Sequence, residues 1–396
     1  MSGGGIFTKD FCLGSVISAC CALNYFAILI NITSFAMSSF GCSEAEAGLS
    51  AGIYVIGGLF SRLLLGKYVE LVGRKKMLII SETFCLGISC LYFFVSSMPM
   101  LYGVRFLHGM GYGIAVTCVS DIIARILPKE RLGEGLGYYA LSITLATAIG
   151  PYLGLILSPN YDAVFSIGIG MYSVAVLCAV LMHVPEETLT EEQRAEAKGF
   201  RLGNVLQLSA VPLGITTMVF FFGYSGVLSF IDPYSEEIGM AEAAAFFYLA
   251  VSAGTLISRL TTGKIFDTKG PNGIITLGIL LFTAGMVTFS QTDIPWVFLL
   301  TGFLMGYGVS IAYAVCQASA ISASPPHRYG VTTSTFAMIT DLGSGLGPMF
   351  LGMVIAESGY RNMYLICSAI CLSSLVIFWI VHGRKVIKGK TFIPDC

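Results

Sequence analysis

The sequence has little charge. Only 11% of its 396 residues are Asp, Glu, Lys or Arg, whereas soluble domains average about 25%. Apolar residues make up 55% of the chain, and the mean hydropathy is +0.81. The formal net charge is −1 and there is no basic run, which argues against a nucleic-acid partner. The shortage of charge therefore predicts an integral membrane protein in a lipid bilayer.

Motifs for catalysis and cofactor binding are also missing. No G-x-x-x-x-G-K-S/T phosphate loop occurs, which argues against an ATP-driven pump unless another chain supplies the ATPase. Ten of the twelve cysteines lie inside apolar runs, and Cys367 and Cys371 share a helix face without a His or a second Cys pair nearby. We therefore predict no enzyme activity, no cofactor and no metal, with the cysteines packing as small residues between helices.

One stretch of the sequence occurs twice. Residues 61–76 are repeated by residues 258–272 at an offset of 197 residues, which relates Gly66 to Gly263 and Gly73 to Gly270, while Glu70 becomes Asp267. The same offset relates other pairs along the chain, among them Gly109 and Gly306, and Pro151 and Pro348. Because twice 197 is almost the whole length, we infer two like halves in parallel.

Twelve apolar runs of membrane-spanning length follow from the sequence. They cover residues 12–37, 45–65, 77–95, 99–124, 135–157, 163–184, 205–231, 241–262, 273–290, 295–322, 331–356 and 363–382. The predicted fold is an all-α membrane protein with twelve transmembrane helices in two six-helix parallel repeats. We expect an amino-terminal half at 1–184, a cytoplasmic linker at 185–204 and a carboxyl-terminal half with a short tail at 205–396.

The basic residues predict the orientation. Eighteen of the 22 Lys and Arg residues fall in the amino-terminal segment, the even-numbered connectors and the carboxyl-terminal tail, whereas the odd-numbered connectors hold only Arg361. Basic residues favour the cytoplasmic side. Both termini are therefore expected in the cytoplasm.

The repeated stretch has a physical use at the turn between spans two and three. Gly66 and Gly73 allow a tight turn and a close approach of helices, and a carboxylate such as Glu70 is stabilised beside a helix amino terminus. Arg74 is expected to reach an acid at the inner end of a neighbouring span, with Asp121 the first candidate and Glu82 the second. These residues and Asp267 predict a gate; a purely topogenic role for the basic residues is the alternative.

Two charged residues lie deep inside predicted spans. Asp341 is about ten residues into span eleven, roughly 15 Å deep at 1.5 Å per residue. Its repeat counterpart is the neutral Thr144, so the charge is not part of the shared scaffold. An intramembrane carboxylate predicts proton carriage or pairing with a cationic substrate, and a structural pairing is the alternative. Arg105 in span four needs a partner, water or an anionic group, and His108 one turn on is either titratable or a packed, hydrogen-bonded histidine.

Taken together, these motifs resemble the major facilitator superfamily, and within it the twelve-span drug:proton antiporters. The loop at Gly66, Glu70, Gly73 and Arg74 fits a signature of that superfamily, with Glu where Asp is usual, and the Arg105 segment fits another. Span five fits the antiporter motif, in which Ala146 and Leu155 replace glycine, at Gly137, Gly150, Pro151 and Gly154. The resemblance implies rocking of two halves around a central cavity, with Arg105 tied to proton transfer.

The predicted function is proton-coupled efflux of a small amphipathic organic compound or drug, with Asp341, Arg105 and Asp121 in proton coupling. Transport of a specific metabolite such as a sugar, organic acid or peptide-like molecule is the alternative, and a non-transporting membrane sensor or assembly factor is a third. The chain is expected to be monomeric in a bacterial inner membrane, with a small-molecule substrate and protons as its partners. A substrate cavity is predicted at Asn24, Tyr25, Asn31, His108, Tyr139, Tyr224, Tyr307 and Gln317.

Overall fold

A computed structural model describes residues 6–128, 132–184, 206–324 and 329–384. Within them, the side chains of residues 64–71, 132–134, 136–137, 260, 263–269 and 329–330 lie outside the description. Helices account for nearly all of the described backbone, and this part of the chain contains no strand. The predicted linker at 185–204 lies outside the described residues.

Six α-helices make up the described residues of the amino-terminal part. They are α1 (Lys9–Phe40), α2 (Glu44–Val72), α3 (Arg74–Leu91), α4 (Met98–Ile126), α5 (Leu132–Leu157) and α6 (Tyr161–Leu181). Local sequence explains several of their starts. Ser43 and Glu46 form reciprocal hydrogen bonds at the start of α2, and the Asn160 side chain accepts from the Ala163 amide at the start of α6.

Five α-helices follow in the described residues of the carboxyl-terminal part. They are α7 (Val211–Glu237), α8 (Ala241–Lys269), α9 (Pro271–Gln291), α10 (Pro295–Ser322) and α11 (Tyr329–Phe378), which a π-helical turn, Trp379–Gly383, extends. The 50-residue α11 is broken at Gly359, where φ is +77° and ψ is 170°. Its two arms therefore correspond to the two last apolar runs of the sequence.

The predicted membrane fold is confirmed. Among the described residues, ten helices are long and apolar enough to cross a membrane, and the last of them, Val331–Gly383, contains both arms of α11. The 29-residue α2 lies between the first two of the ten. Twelve helical segments are thus present where the sequence has its twelve apolar runs.

Turns between consecutive helices are made by glycine in both halves. Gly73, with φ of +99°, separates α2 from α3, and Gly270, with φ of +75°, separates α8 from α9. A residue with a Cβ atom rarely adopts this left-handed backbone. The two glycines are related by the 197-residue offset, so the repeated sequence makes the same turn twice.

Helix contacts repeat at the same offset. In the amino-terminal part, a Cβ atom at Gly57 would overlap the Phe106 carbonyl, and one at Gly109 would overlap the Tyr54 carbonyl. Adding 197 to each number gives contacts that are also present, Gly254 with Phe303 and Gly306 with Val251. Each half therefore holds its second helix against its fourth through the same pair of glycines.

The structure divides into two compact units. The first contains residues 1–31 and 53–200, and the second contains residues 32–52 and 201–396. The end of α1, the first connector and the start of α2, residues 32–52, thus belong to the second unit. There the Thr33 hydroxyl donates to the Ser229 carbonyl at 2.5 Å, and a Cβ atom at Gly52 would overlap the Gly345 carbonyl.

Candidate transport and coupling residues

An ion pair joins the start of α3 to α4. Arg74, the first residue of α3, bonds to the carboxylate of Asp121 on α4, and its side chain is only 8% exposed. Arg125, one turn after Asp121, bonds to the same carboxylate at 3.1 Å and is 39% exposed. The contact that the sequence predicts between Arg74 and Asp121 is therefore present. Their use in gating or in proton coupling stays a prediction.

The remaining gating residues are only partly described. Gly66 and Glu70 lie near the end of α2, and Asp267 lies near the end of α8, but their side chains are outside the described residues. Gly73 makes the turn between α2 and α3. Because Arg74 follows that turn, Gly73 sets the position from which the guanidinium reaches Asp121.

Arg105 and His108 lie inside a tyrosine cluster of the first unit. Both are fully buried on α4. The Arg105 guanidinium lies 4.4 Å from the centre of the Tyr54 ring and donates to the Tyr92 hydroxyl at 3.4 Å. The two ring nitrogens of His108 are hydrogen-bonded to the hydroxyls of Tyr92 at 3.1 Å and Tyr172 at 3.0 Å. His108 thus has the packed, hydrogen-bonded arrangement that was one of its two interpretations.

Sequence reasoning missed the three tyrosines of this cluster. Tyr54, Tyr92 and Tyr172 come from α2, the turn after α3, and α6, and each is at most 2% exposed. A buried arginine needs partners, so polar aromatic residues at a similar depth in neighbouring spans were the available signal. Arg105 and Asp121 are sixteen residues apart on α4, or about 24 Å at 1.5 Å per residue. A direct exchange of a proton between these two side chains is therefore excluded.

The glycines of span five pack on α1. A Cβ atom at Gly150 would lie 3.0 Å from the Leu23 carbonyl oxygen, and one at Gly154 would lie 2.7 Å from the Ala27 carbonyl oxygen. Pro151 lies between them inside α5, and Gly137 is in α5 with its surroundings outside the description. The small residues of the motif therefore bring two backbones together, as van der Waals packing in membranes favours.

Asp341 lies half-buried on α11, in the second unit. The preceding residue, Thr340, faces α7, where its hydroxyl is 2.7 Å from that of Thr217. One turn later, a Cβ atom at Gly343 would overlap the Met218 carbonyl of α7. The carboxyl of Asp341 is thus carried by a helix that is held tightly to α7 on both sides of it.

The predicted cavity residues fall into two groups. In the first unit, Asn24 is 1% exposed and neither end of its carboxamide has a hydrogen-bond partner among the described residues, and the Asn31 oxygen is also unpaired. Tyr139 is bonded to the hydroxyls of Ser18 and Ser120. Tyr25 stacks on Tyr112 with ring centres 5.4 Å apart. In the second unit lie the buried Tyr224 and the half-buried Tyr307 and Gln317.

Glu82 occupies a different place from the one expected. It is fully buried on α3, and its only hydrogen bond among the described residues comes from the Cys21 thiol of α1, at 3.2 Å. Its second carboxyl oxygen has no hydrogen-bond partner within the described ranges. Glu82 is therefore not the partner of Arg74 but a carboxyl group enclosed in the core of the first unit.

Comparison with known proteins agrees with this arrangement. The family model described as "Major Facilitator Superfamily" matches residues 14–291 and 274–395. The chain belongs to the major facilitator superfamily. Its relatives include proteins of this superfamily that are named as transporters. The chain is therefore a membrane transporter and not an enzyme.

Three relatives of the superfamily cover most of this chain. An uncharacterised MFS-type transporter of Methanocaldococcus jannaschii is 24% identical over 82% of this chain and 86% of its own length. A probable sugar efflux transporter of Helicobacter acinonychis is 24% identical, covering 89% and 92%. The multidrug resistance protein MdtG of Dickeya zeae is 23% identical, covering 91% and 91%.

Solved structures of the superfamily share the fold. The nucleoside transporter NupG gives a TM-score of 0.75 at 13% identity, over 94% of this chain and 99% of its own. A bacterial homologue of the human lysosomal transporter Spinster gives 0.72 at 16% identity, over 98% of each chain. At these identities the likeness concerns the fold alone.

Proposed function

We propose that this chain is a secondary active transporter that exports small amphipathic organic compounds in exchange for protons, by alternating access. The observation that carries the proposal is the carboxyl group of Asp341, half-buried inside the apolar helix α11. Placing a carboxylate at the centre of a membrane helix costs roughly 2.5–3.5 kcal/mol on insertion scales, so such a residue is expected to have a function. The function that we assign to Asp341 is the binding and release of a proton.

The rest of the arrangement supports transport of an organic molecule. The Asn24 carboxamide and the Asn31 side-chain oxygen have no hydrogen-bond partner among the described residues. With tyrosines on several helices, they offer hydrogen bonds beside aromatic surface, which suits an amphipathic ligand. The antiporter motif around Pro151 and the relative named as a multidrug resistance protein favour export. The ion pair of Arg74 and Asp121, with Glu70 and Asp267, is proposed as part of the inner gate.

A second candidate is transport of one specific metabolite. The relative named as a probable sugar efflux transporter favours it, with a similar identity and coverage. Both candidates use the same fold and the same coupling group. They differ in the breadth of the substrate profile, which is open to direct measurement.

We also propose the placement of the chain in the bacterial inner membrane, as a monomer with both termini in the cytoplasm. The support is the distribution of Lys and Arg over the connectors, eighteen on one side against one on the other.

The test uses purified protein in liposomes with an imposed pH gradient and a panel of fluorescent cationic and neutral dyes. Asp341→Asn is compared with the parent, and Asp293→Asn is the matched control, because Asp293 is a 70% exposed acid paired with Arg361 in a connector. Gradient-driven movement of several dyes, lost in Asp341→Asn and kept in Asp293→Asn, is the expected result. Dye movement that ignores the gradient contradicts proton coupling, and proton flux elicited by a single metabolite class favours the second candidate.

A further inference from the structure

A glutamate that forms no ion pair with the described basic residues lies in the core of the first unit. Glu82 is 0% exposed, and one of its carboxyl oxygens accepts a hydrogen bond from the Cys21 thiol, while the other has no hydrogen-bond partner in the described part of the chain. Cys21 belongs to an apolar cluster drawn from several helices, which includes Leu78, Ile122 and Ala175. An ionised carboxylate in such a place has lost its hydration without gaining a charge in return.

The groups that face Glu82 are neutral. Those close enough to act on it electrostatically are thiols and a phenol from four helices: Cys20 and Cys21 of α1, Cys85 of α3, Cys118 of α4 and Tyr172 of α6. The basic residues of the same helix are Arg74, Lys75 and Lys76 in its first turn, at least six residues before Glu82, and Arg74 bonds to Asp121. Among the described residues no basic side chain forms an ion pair with Glu82.

Glu82 also lies midway along a line of polar groups between α3 and α4. The ion pair of Arg74 and Asp121 is at one end, eight residues or about 12 Å before Glu82 on α3. The tyrosine cluster begins at Tyr92, ten residues or about 15 Å after it. Between Glu82 and that cluster, the Cys85 thiol faces the carbonyl of His108 at 3.9 Å. Glu82 therefore lies at an intermediate position along α3, between two polar sites that are too far apart to interact directly.

We propose that Glu82 is a proton-binding site of the first unit, which holds its proton in the buried, thiol-lined position and releases it when that position opens to water. Glu82 can bind a proton whether or not that proton drives transport. Its use in driving transport rests on the function proposed above, in which Asp341 is the coupling group of the other unit.

Infrared spectroscopy tests proton binding without any substrate. Purified protein in lipid is compared with three variants in neutral buffer: Glu82→Gln, Glu82→Asp and Asp341→Asn. We expect the C=O stretch of a protonated carboxyl in the parent, lost in Glu82→Gln, shifted in Glu82→Asp and kept in Asp341→Asn. If Glu82→Gln instead lacks an ionised carboxylate band that the parent shows, the proposal is overturned. The Asp variant decides the matter if the Gln variant does not fold.

Transport of ethidium in liposomes tests whether this proton is used. In Glu82→Gln we expect the rate of ethidium transport driven by the pH gradient to fall at least tenfold, while ethidium exchange at equal pH is kept. Loss of a merely structural residue would lower both rates. A Gln variant that keeps gradient-driven transport overturns the coupling role of Glu82. If the parent itself ignores the gradient, the proposed function fails, and the infrared result still decides whether Glu82 binds a proton.

Discussion

The Arg105 guanidinium lies over the face of the Tyr54 ring, 4.4 Å from its centre, and both side chains are withdrawn from solvent. A desolvated cation–π pair contributes about 2 kcal/mol. The Tyr54 hydroxyl has no hydrogen-bond partner among the residues that the structure describes. Tyr54→Phe should therefore keep nearly all of the stability, whereas Tyr54→Leu should lower the free energy of unfolding by about 2 kcal/mol or more.

The measurement for this pair is thermal unfolding of the parent and both variants in the same detergent. The Phe variant is the control, because it keeps the ring under the cation and removes only the hydroxyl. Equal losses in the two variants would show that the hydroxyl, and not the ring, is what Arg105 needs.

The carboxylate of Asp121 bonds to two arginines that differ in burial. Arg74 is 8% exposed and Arg125 is 39% exposed. Asp121→Asn leaves a nearly buried guanidinium without its counter-charge, and we expect a loss of about 1–3 kcal/mol in stability. Arg125→Gln removes only an exposed pair one helical turn apart, which contributes about 0.3–0.5 kcal/mol.

Both variants are compared by thermal unfolding and by dye transport in liposomes. If the ion pair helps to close the inner gate, Asp121→Asn should also raise leakage of the dye without a gradient, while Arg125→Gln should not. Equal stability of the two variants would mean that the contact of Arg74 with Asp121 does not stabilise the fold.

The duplicated glycine contacts predict a duplicated sensitivity. A Cβ atom at Gly109 or at Gly306 would overlap a backbone carbonyl of the facing helix, which cannot move as a flexible side chain does. Gly109→Ala and Gly306→Ala should each destabilise the protein, by about 1–3 kcal/mol as for other overpacked sites. Gly87→Ala and Gly103→Ala are the controls, since nothing lies within 4 Å of a Cβ atom at either position. Equal effects at all four glycines in thermal unfolding would argue against the close contacts.

Much of the fold could be predicted because membrane helices are written as long apolar runs. The turn at Gly73 and the contact of Arg74 with Asp121 also followed, since both depend on residues next to a helix end whose position the runs define. The surroundings of Glu82 could not be predicted from the sequence. A helix that is apolar on every side does not reveal which face is turned inward, so the sequence could not show that Cys21, 61 residues away, faces this carboxyl.

The partners of His108 escaped prediction for the same reason, since Tyr172 is 64 residues away on another helix. The placement of residues 32–52 with the second unit was also not foreseen. Repeats in the sequence point to two halves, but a contact such as that of Gly52 with Gly345 depends on tertiary packing that no repeat encodes.

Cys42 offers a test of the proposed orientation. It is a half-buried residue in the connector between α1 and α2, outside both helices. With the other cysteines replaced, a membrane-impermeant maleimide added to intact cells should label Cys42 if the first connector faces outward. A cysteine placed at the exposed Arg125, in the last turn of α4 at its proposed inner end, should be labelled only after the cells are permeabilised. The reverse pattern would invert the orientation.

The rate of that labelling should depend strongly on pH. Burial, and then the charge of Glu46, raises the pKa of the Cys42 thiol above its ordinary value of 9.0. Because the thiolate is the reactive form, the labelling rate should be low at neutral pH and should keep rising, about tenfold per unit, beyond pH 9.

Glu46→Gln gives the matched comparison, since Gln keeps the hydrogen bonds with Ser43 that cap α2 while removing the charge. Its profile should move toward lower pH but stay above that of an exposed cysteine, because burial is the larger cause. A profile for the parent that levels off below pH 9 would show that the Cys42 thiol is more exposed to water than its position against the neighbouring helices implies.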